Sequence, residues 1–117
     1  MAIQELREAL DLELENAHTS RREGNEGKAR VCARRATGLA IRVHFEEMEE
    51  SIPTTNTLRL LKWFADQPQF SDELRQAASR LTVHVTTGHN LPHQEDLLED
   101  AMFLITAMLE ESFERNQ

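Results

Sequence analysis

Apolar positions recur every three or four residues along most of the chain, the spacing that gathers side chains on one face of an α-helix. Ile3, Leu6, Leu10, Leu14 and Ala17 fall in one narrow stripe at about 100° per residue, with Glu5, Glu8, Asp11 and Glu15 outside it. This predicts a first helix from about Ala2 to Arg22, turning at Gly24-Asn25 with Arg21 and Arg22 in its last turn, where cations suit the helix dipole. Next comes the segment EGKARVCARRATGLAIRVHF, Glu26 to Phe45, which continues as a second helix to about Glu49. Its stripe of Ala29, Cys32, Ala33, Ala36, Leu39, Ala40 and Val43 is rich in small residues that leave room for a neighbouring backbone. That places the second helix at the centre of a bundle.

Ser51-Ile52-Pro53 breaks this helix, since a residue before proline is pushed out of the α region. A short third helix is expected from about Thr55 to Gln67, capped by Thr54 or Thr55, with Leu58, Leu61, Phe64 and Ala65 inward. Ser71 is a good N-cap for a fourth helix whose core face is Leu74, Ala77, Ala78, Leu81 and Val85. Gly88 to Pro92 reads as a loop. A fifth helix is expected from about His93 to Glu114, with Leu97, Leu98, Ala101, Leu104, Ile105 and Met108 inward. Short connections make consecutive helices antiparallel neighbours, so the expected fold is all-α: an up-and-down four-helix bundle with an additional short helix.

Composition agrees. At 117 residues the chain fits a single domain, 1–117, with one core; Tyr is absent and only three Pro and four Gly occur. Cys32 is the lone cysteine, so no intrachain disulfide can form, and its place on the core stripe reads as a small buried hydrophobe. The acidic N-terminus does not read as a signal peptide, and no apolar run approaches the roughly 20 residues of a membrane span. A cytoplasmic protein is expected.

Charge is polarised along the chain. The net charge of −8 disfavours non-specific binding to nucleic acid or anionic lipid, yet seven of the thirteen Lys and Arg lie between Arg21 and Arg42. Lys28, Arg35 and Arg42 flank the core stripe of the second helix on one side; Arg30 and Arg34 flank it on the other. Arg30, Arg34, Arg35 and Arg42 are candidate phosphate-binding residues, and the plainer reading has them pairing with acids of neighbouring helices. Arg80 and His84 stand one helical turn apart. In RNA cleavage such a His takes the 2′-hydroxyl proton while the Arg stabilises phosphate charge, though any solvated helix can carry such a pair.

Metal chemistry finds little footing. A di-iron bundle needs two Glu-x-x-His pairs facing inward, and only Glu15 with His18 has that spacing, with Glu15 off the apolar stripe. His89 and His93 with Asp96 make a weak zinc set without cysteines. No metal or cofactor is expected: GNEG at 24–27 lacks the Lys-Ser/Thr ending and preceding strand of a phosphate loop. Trp63 beside Phe64 reads as core or rim of the third helix rather than a base-stacking platform.

The order of these segments resembles the HEPN domain, a small α-helical bundle. The resemblance rests on a helix ending in Arg and Gly, the central ARVCARRATGLAIRVHF helix, a Pro-containing break, TLRLLKWF, ELRQAASRLTVHV and a long last helix. It covers about residues 5 to 114 and consists mostly of packing patterns. HEPN proteins include ribonucleases, RNA- or nucleotide-binding modules, and partners of minimal nucleotidyltransferases in toxin–antitoxin pairs. The ribonucleases carry Arg, four to six residues, then His. Here Arg80 and His84 are separated by three residues and Arg80 and His89 by eight. The loop before the last helix reads Thr87-Gly88-His89-Asn90-Leu91-Pro92, without the Arg-Tyr-Pro-Asp-like stretch of many members. The resemblance therefore implies a non-catalytic binding or regulatory module for RNA, a nucleotide or a nucleotidyltransferase partner. The alternative is a metal-independent endoribonuclease using Arg80 and His84. A helical protein-interaction adaptor is a third reading, weakened because no repeat of about 34 residues occurs.

Val31, Gly38 and Phe45, seven apart, form a second apolar line on the opposite side of the second helix. That line needs cover, from the third helix or from another protomer. The pairing habit of the HEPN family implies a homodimer with these three residues at the interface.

Overall fold

Five helices follow one another: α1 (Ile3–Arg22), α2 (Glu26–Glu47), α3 (Thr57–Ala65), α4 (Asp72–Leu81) and α5 (Leu97–Arg115). The computed structural model describes residues 2–83 and 96–115, with side chains to residue 110. No strand occurs among the described residues.

Local chemistry explains where the helices begin and end. At the end of α1, the Asn25 N–H donates to the Ser20 carbonyl at 2.7 Å and the Gly24 N–H to that of Arg21 at 3.0 Å. This Schellman turn needs a left-handed residue, and Gly24 supplies it at φ 81°. Asn25 then caps α2, its Oδ1 accepting the Lys28 N–H at 3.1 Å. The end of α2 repeats the motif with Glu50 bonded to Phe45 at 2.9 Å and Glu49 bonded to Glu46 at 3.1 Å. The left-handed position there is Glu49, at φ 56°. The helix thus closes at Glu47, before Pro53 can act on it.

The expected start of α3 also shifts. Asn56 caps it by accepting the Arg59 N–H at 3.0 Å, while Thr54 accepts the Asn56 N–H at 3.1 Å and so lies one step outside the helix. Ser71 caps α4 as the sequence suggests, accepting the Leu74 N–H at 3.3 Å. That helix stops at Leu81; Val85, expected on its core face, lies outside the described residues. Asp96 opens α5, its side chain accepting the Leu98 N–H at 2.9 Å and its carbonyl the Asp100 N–H at 3.0 Å. The helix therefore starts four residues later than the expected His93, which lies outside the described residues, as does the 88–92 loop.

Side-chain contacts give the helix directions. Gly38, midway along α2, meets Thr57 at the start of α3, and Phe45 near the end of α2 meets Trp63 near the end of α3. Those two helices run in the same sense. Then α4 returns, since its last carbonyl, Leu81, reaches Arg34 in the first half of α2. Helix α5 starts where α1 and α4 end, with Asp96 on Arg21 and Asp100 on Arg80. Helices α1, α2, α4 and α5 thus alternate up and down, and α3 is an additional helix; α3 and α4, of 9 and 10 residues, are the short ones.

Helix α2 packs against α1, α5 and α3, and α4 packs against α5 and α3. Most of the expected α2 stripe is buried, from Ala29 to Val43, with Leu39 half-buried. Thr37, Gly38, Ile41, His44 and Phe45 are buried as well, so the middle of α2 is enclosed around most of its circumference. The Thr37 hydroxyl meets the demand of that burial by donating to the Ala33 carbonyl at 2.8 Å.

The second apolar line of α2 finds its cover inside the chain. Gly38 lies under Thr57, and Phe45 is buried edge-on against Trp63 and Phe70 at centroid distances of 5.2 and 6.1 Å. Phe64 stacks on Phe70 at 4.3 Å, closing α3 and the segment before α4 over the C-terminal end of α2. Gly38 and Phe45, expected at a homodimer interface, are therefore covered within the single chain by α3 and the segment before α4. Val31 alone of the three is exposed.

Two stability outcomes follow. Phe64→Ala, at a fully buried aromatic, is expected to lower unfolding free energy by about 3–5 kcal/mol in urea titration. Glu49→Gly is expected to raise it by about 1 kcal/mol, since glycine relieves the left-handed backbone of a side chain; a loss instead would show that the Glu49 side chain holds the turn.

Candidate anion-binding site

The four candidate arginines of α2 meet different surroundings. Arg34, half-buried, donates through Nε to the Leu81 carbonyl at 2.6 Å and through a terminal nitrogen to the Val83 carbonyl at 2.9 Å. It caps the C-terminus of α4, where carbonyls lack helical partners and a cation suits the dipole. Burial pushes its pKa down, and neighbouring Arg30 adds to that push. Arg34 is thus spent on the fold. Arg30 sits beside it, half-buried.

Arg35 and Arg42 lie on the other flank and line one cleft of about 270 Å³ with Glu13, Gly38, Leu39, Thr55 and Thr57. Seven residues apart, they are two turns and roughly 10 Å apart along the helix axis, within reach of one ligand for side chains of that length. The threonines come from the segment entering α3, and Gly38 is what admits it: a Cβ there would sit 3.3 Å from Thr57 Cγ2. Among the described residues, neither Arg35 nor Arg42 forms an ion pair. Two guanidinium groups and two hydroxyls facing one cleft can bind an oxyanion through charge-assisted hydrogen bonds.

Glu13, from α1, is the acid in this lining, and its Oε2 is buried with no hydrogen-bond partner among the described residues. Beside it lies Cys32, whose thiol is pushed up in pKa by burial first and then by the Glu13 carboxylate, against the weaker pull of Arg35 and Lys28. A protonated, buried thiol is no nucleophile, in line with its place on the core stripe.

Elsewhere several arginines are paired with acids. In a cleft between α3 and α4, lined by Ala65, Asp66, Asp72, Arg75, Gln76 and Ser79, Arg75 pairs with Asp72. In another between α1 and α5, Arg21 is held by Asp96 at 2.8 and 2.9 Å and by Glu26 at 3.0 Å. Arg80, the candidate for RNA cleavage, binds the buried Asp100 through two bonds of 3.0 and 2.9 Å. His84 lies outside the described residues, as do His89 and His93. Glu15 and His18 are exposed, facing away from the bundle interior that a di-iron pair would need. Among the described residues, no three His, Cys, Asp or Glu side chains are grouped to hold a metal, and no helix is long and apolar enough to cross a membrane.

The sequence singled out Arg35 and Arg42 but missed Glu13 and Thr57, and assigned Thr55 to a cap. Nothing in their local pattern marks them, because the fold gathers them from three elements.

The Arg21–Asp96 bridge has a pH signature. Its hydrogen bonds from Arg21 hold the Asp96 carboxyl below its ordinary value of 3.8, outweighing burial. A depressed carboxylate contributes stability that is present above its unfolded pKa and is lost as pH falls through the folded one. Asp96→Asn is therefore expected to be less stable than wild type at neutral pH. The gap should narrow on acidification below about pH 4, measured by thermal melts across a pH series.

Comparison of the chain with protein-family models, curated proteins and solved structures finds no match.

Proposed function

We propose that this protein is a non-catalytic binding module that takes the phosphate of a nucleotide or RNA in the cleft between Arg35 and Arg42. One observation carries the reading: these two arginines line a shared cleft with two threonines and form no ion pair among the described residues, Glu13 of the same lining included. Two guanidinium groups sharing a cleft raise the local positive potential, which favours entry of an anion. Among the described residues the cleft lining holds no histidine to move a proton at neutral pH, and Arg80 of the ribonuclease reading binds Asp100. The resemblance to HEPN domains, which include RNA- and nucleotide-binding modules, supports the same conclusion.

The test is binding to phosphate-bearing ligands at low salt. Each of Arg35→Gln and Arg42→Gln is expected to weaken binding about tenfold, the worth of one charge-assisted hydrogen bond. Arg34→Gln is expected to lower the melting temperature and leave affinity nearly unchanged, because that side chain serves α4. Affinity insensitive to both cleft arginines would overturn the reading, as would RNA cleavage abolished by His84→Ala.

A further inference from the structure

We infer that the cleft selects a small phosphorylated sugar, either free or as the ribose phosphate of a mononucleotide, and that Glu13 is the residue that reads the sugar. This rests on the oxyanion reading above and adds the chemistry of the rest of the ligand. A purely anion-binding cleft has no use for a carboxylate in its wall, since like charge repels the ligand. Glu13 is there nonetheless, a half-buried carboxylate in the wall that Arg35 and Arg42 also line. The thiol of Cys32 beside it is only a weak donor. A ligand whose hydroxyl groups point at Glu13 while its phosphate lies between Arg35 and Arg42 satisfies both ends of the cleft. Half-buried Leu39 lies in the same wall and gives the ring carbons an apolar contact.

Size and charge favour a small ligand over a strand. The volume of about 270 Å³ lies just under the roughly 300–1,000 Å³ common for small-molecule pockets. Two arginines match a phosphomonoester, which carries a charge of about −1.5 to −2 at neutral pH, better than the single charge of an RNA phosphodiester. The chain as a whole carries −8. That net charge works against a polyanionic strand more than against a single phosphate.

Calorimetric titration of the full chain with four probes tests this: inorganic phosphate, ribose 5-phosphate, adenosine monophosphate, and an RNA dodecamer without terminal phosphates. Ribose 5-phosphate is expected to bind about tenfold more tightly than inorganic phosphate, and the dodecamer more weakly than either sugar phosphate. In Glu13→Gln that preference should collapse, while inorganic phosphate binds as well as or better than in wild type because the repelling charge is gone. Adenosine monophosphate tighter than ribose 5-phosphate supports the nucleotide source; equal affinities support the free sugar phosphate. Equal binding of phosphate and ribose 5-phosphate, or the dodecamer binding tightest, overturns the inference and leaves the oxyanion site standing. No binding by any probe overturns the site itself. Arg42→Lys, which keeps the charge, and a thermal melt of each variant separate lost binding from lost folding.

Discussion

Close approach of neighbouring helices to the alanine face of α2 is the constraint on which the rest of this structure depends. Ala29, Ala33, Ala36 and Ala40 are essentially inaccessible to solvent, and so is Thr37 among them. Small side chains let α1 and α5 press on α2 together, and the glycine at 38 lets the start of α3 press on a third side. An interior packed at near-crystalline density tolerates little change in volume at such positions. The aromatic group of Phe45, Trp63, Phe64 and Phe70 then fills the space where the helices diverge at the end of α2.

Cations hold the ends of this arrangement. Arg34 caps α4, Arg80 ties α4 to the first turn of α5, and Arg21 ties the end of α1 to Asp96 at the start of α5. Arg7 of α1 also pairs with Glu47 at the far end of α2. Asp96 and Asp100, at the start of α5, thus complete ion pairs with arginines at the ends of other helices. Arg35 and Arg42 form no ion pair among the described residues, and they share a cleft that Gly38 shapes by admitting Thr57.

Much of the helical pattern could be read without coordinates, because 3.6-residue periodicity and end chemistry are local. The core stripes of α1, α2 and α4, the Ser71 cap and the burial of Cys32 all depend on residues within a few turns of one another. The end of α2 was less legible: proline is a strong signal, whereas a left-handed glutamate has no signature, and it is Glu49 that closes the helix. Asn56 and Asp96 as caps were missed for a related reason, since Thr54, Thr55 and an earlier loop offered competing chemistry nearby.

By itself the sequence determined an all-helical chain, the order and core faces of its helices, and the split of the α2 cations into two flanks. Only the tertiary structure decided what each flank meets. Arg34 finds carbonyls 47 and 49 residues away, while Arg35 and Arg42 find two threonines from the approach to α3 and a glutamate from α1. A helical wheel shows which way a side chain points, but not which distant element lies there. The same limit governs Val31, Gly38 and Phe45: one apolar line in the sequence, but two of its members are buried under α3 and one faces solvent.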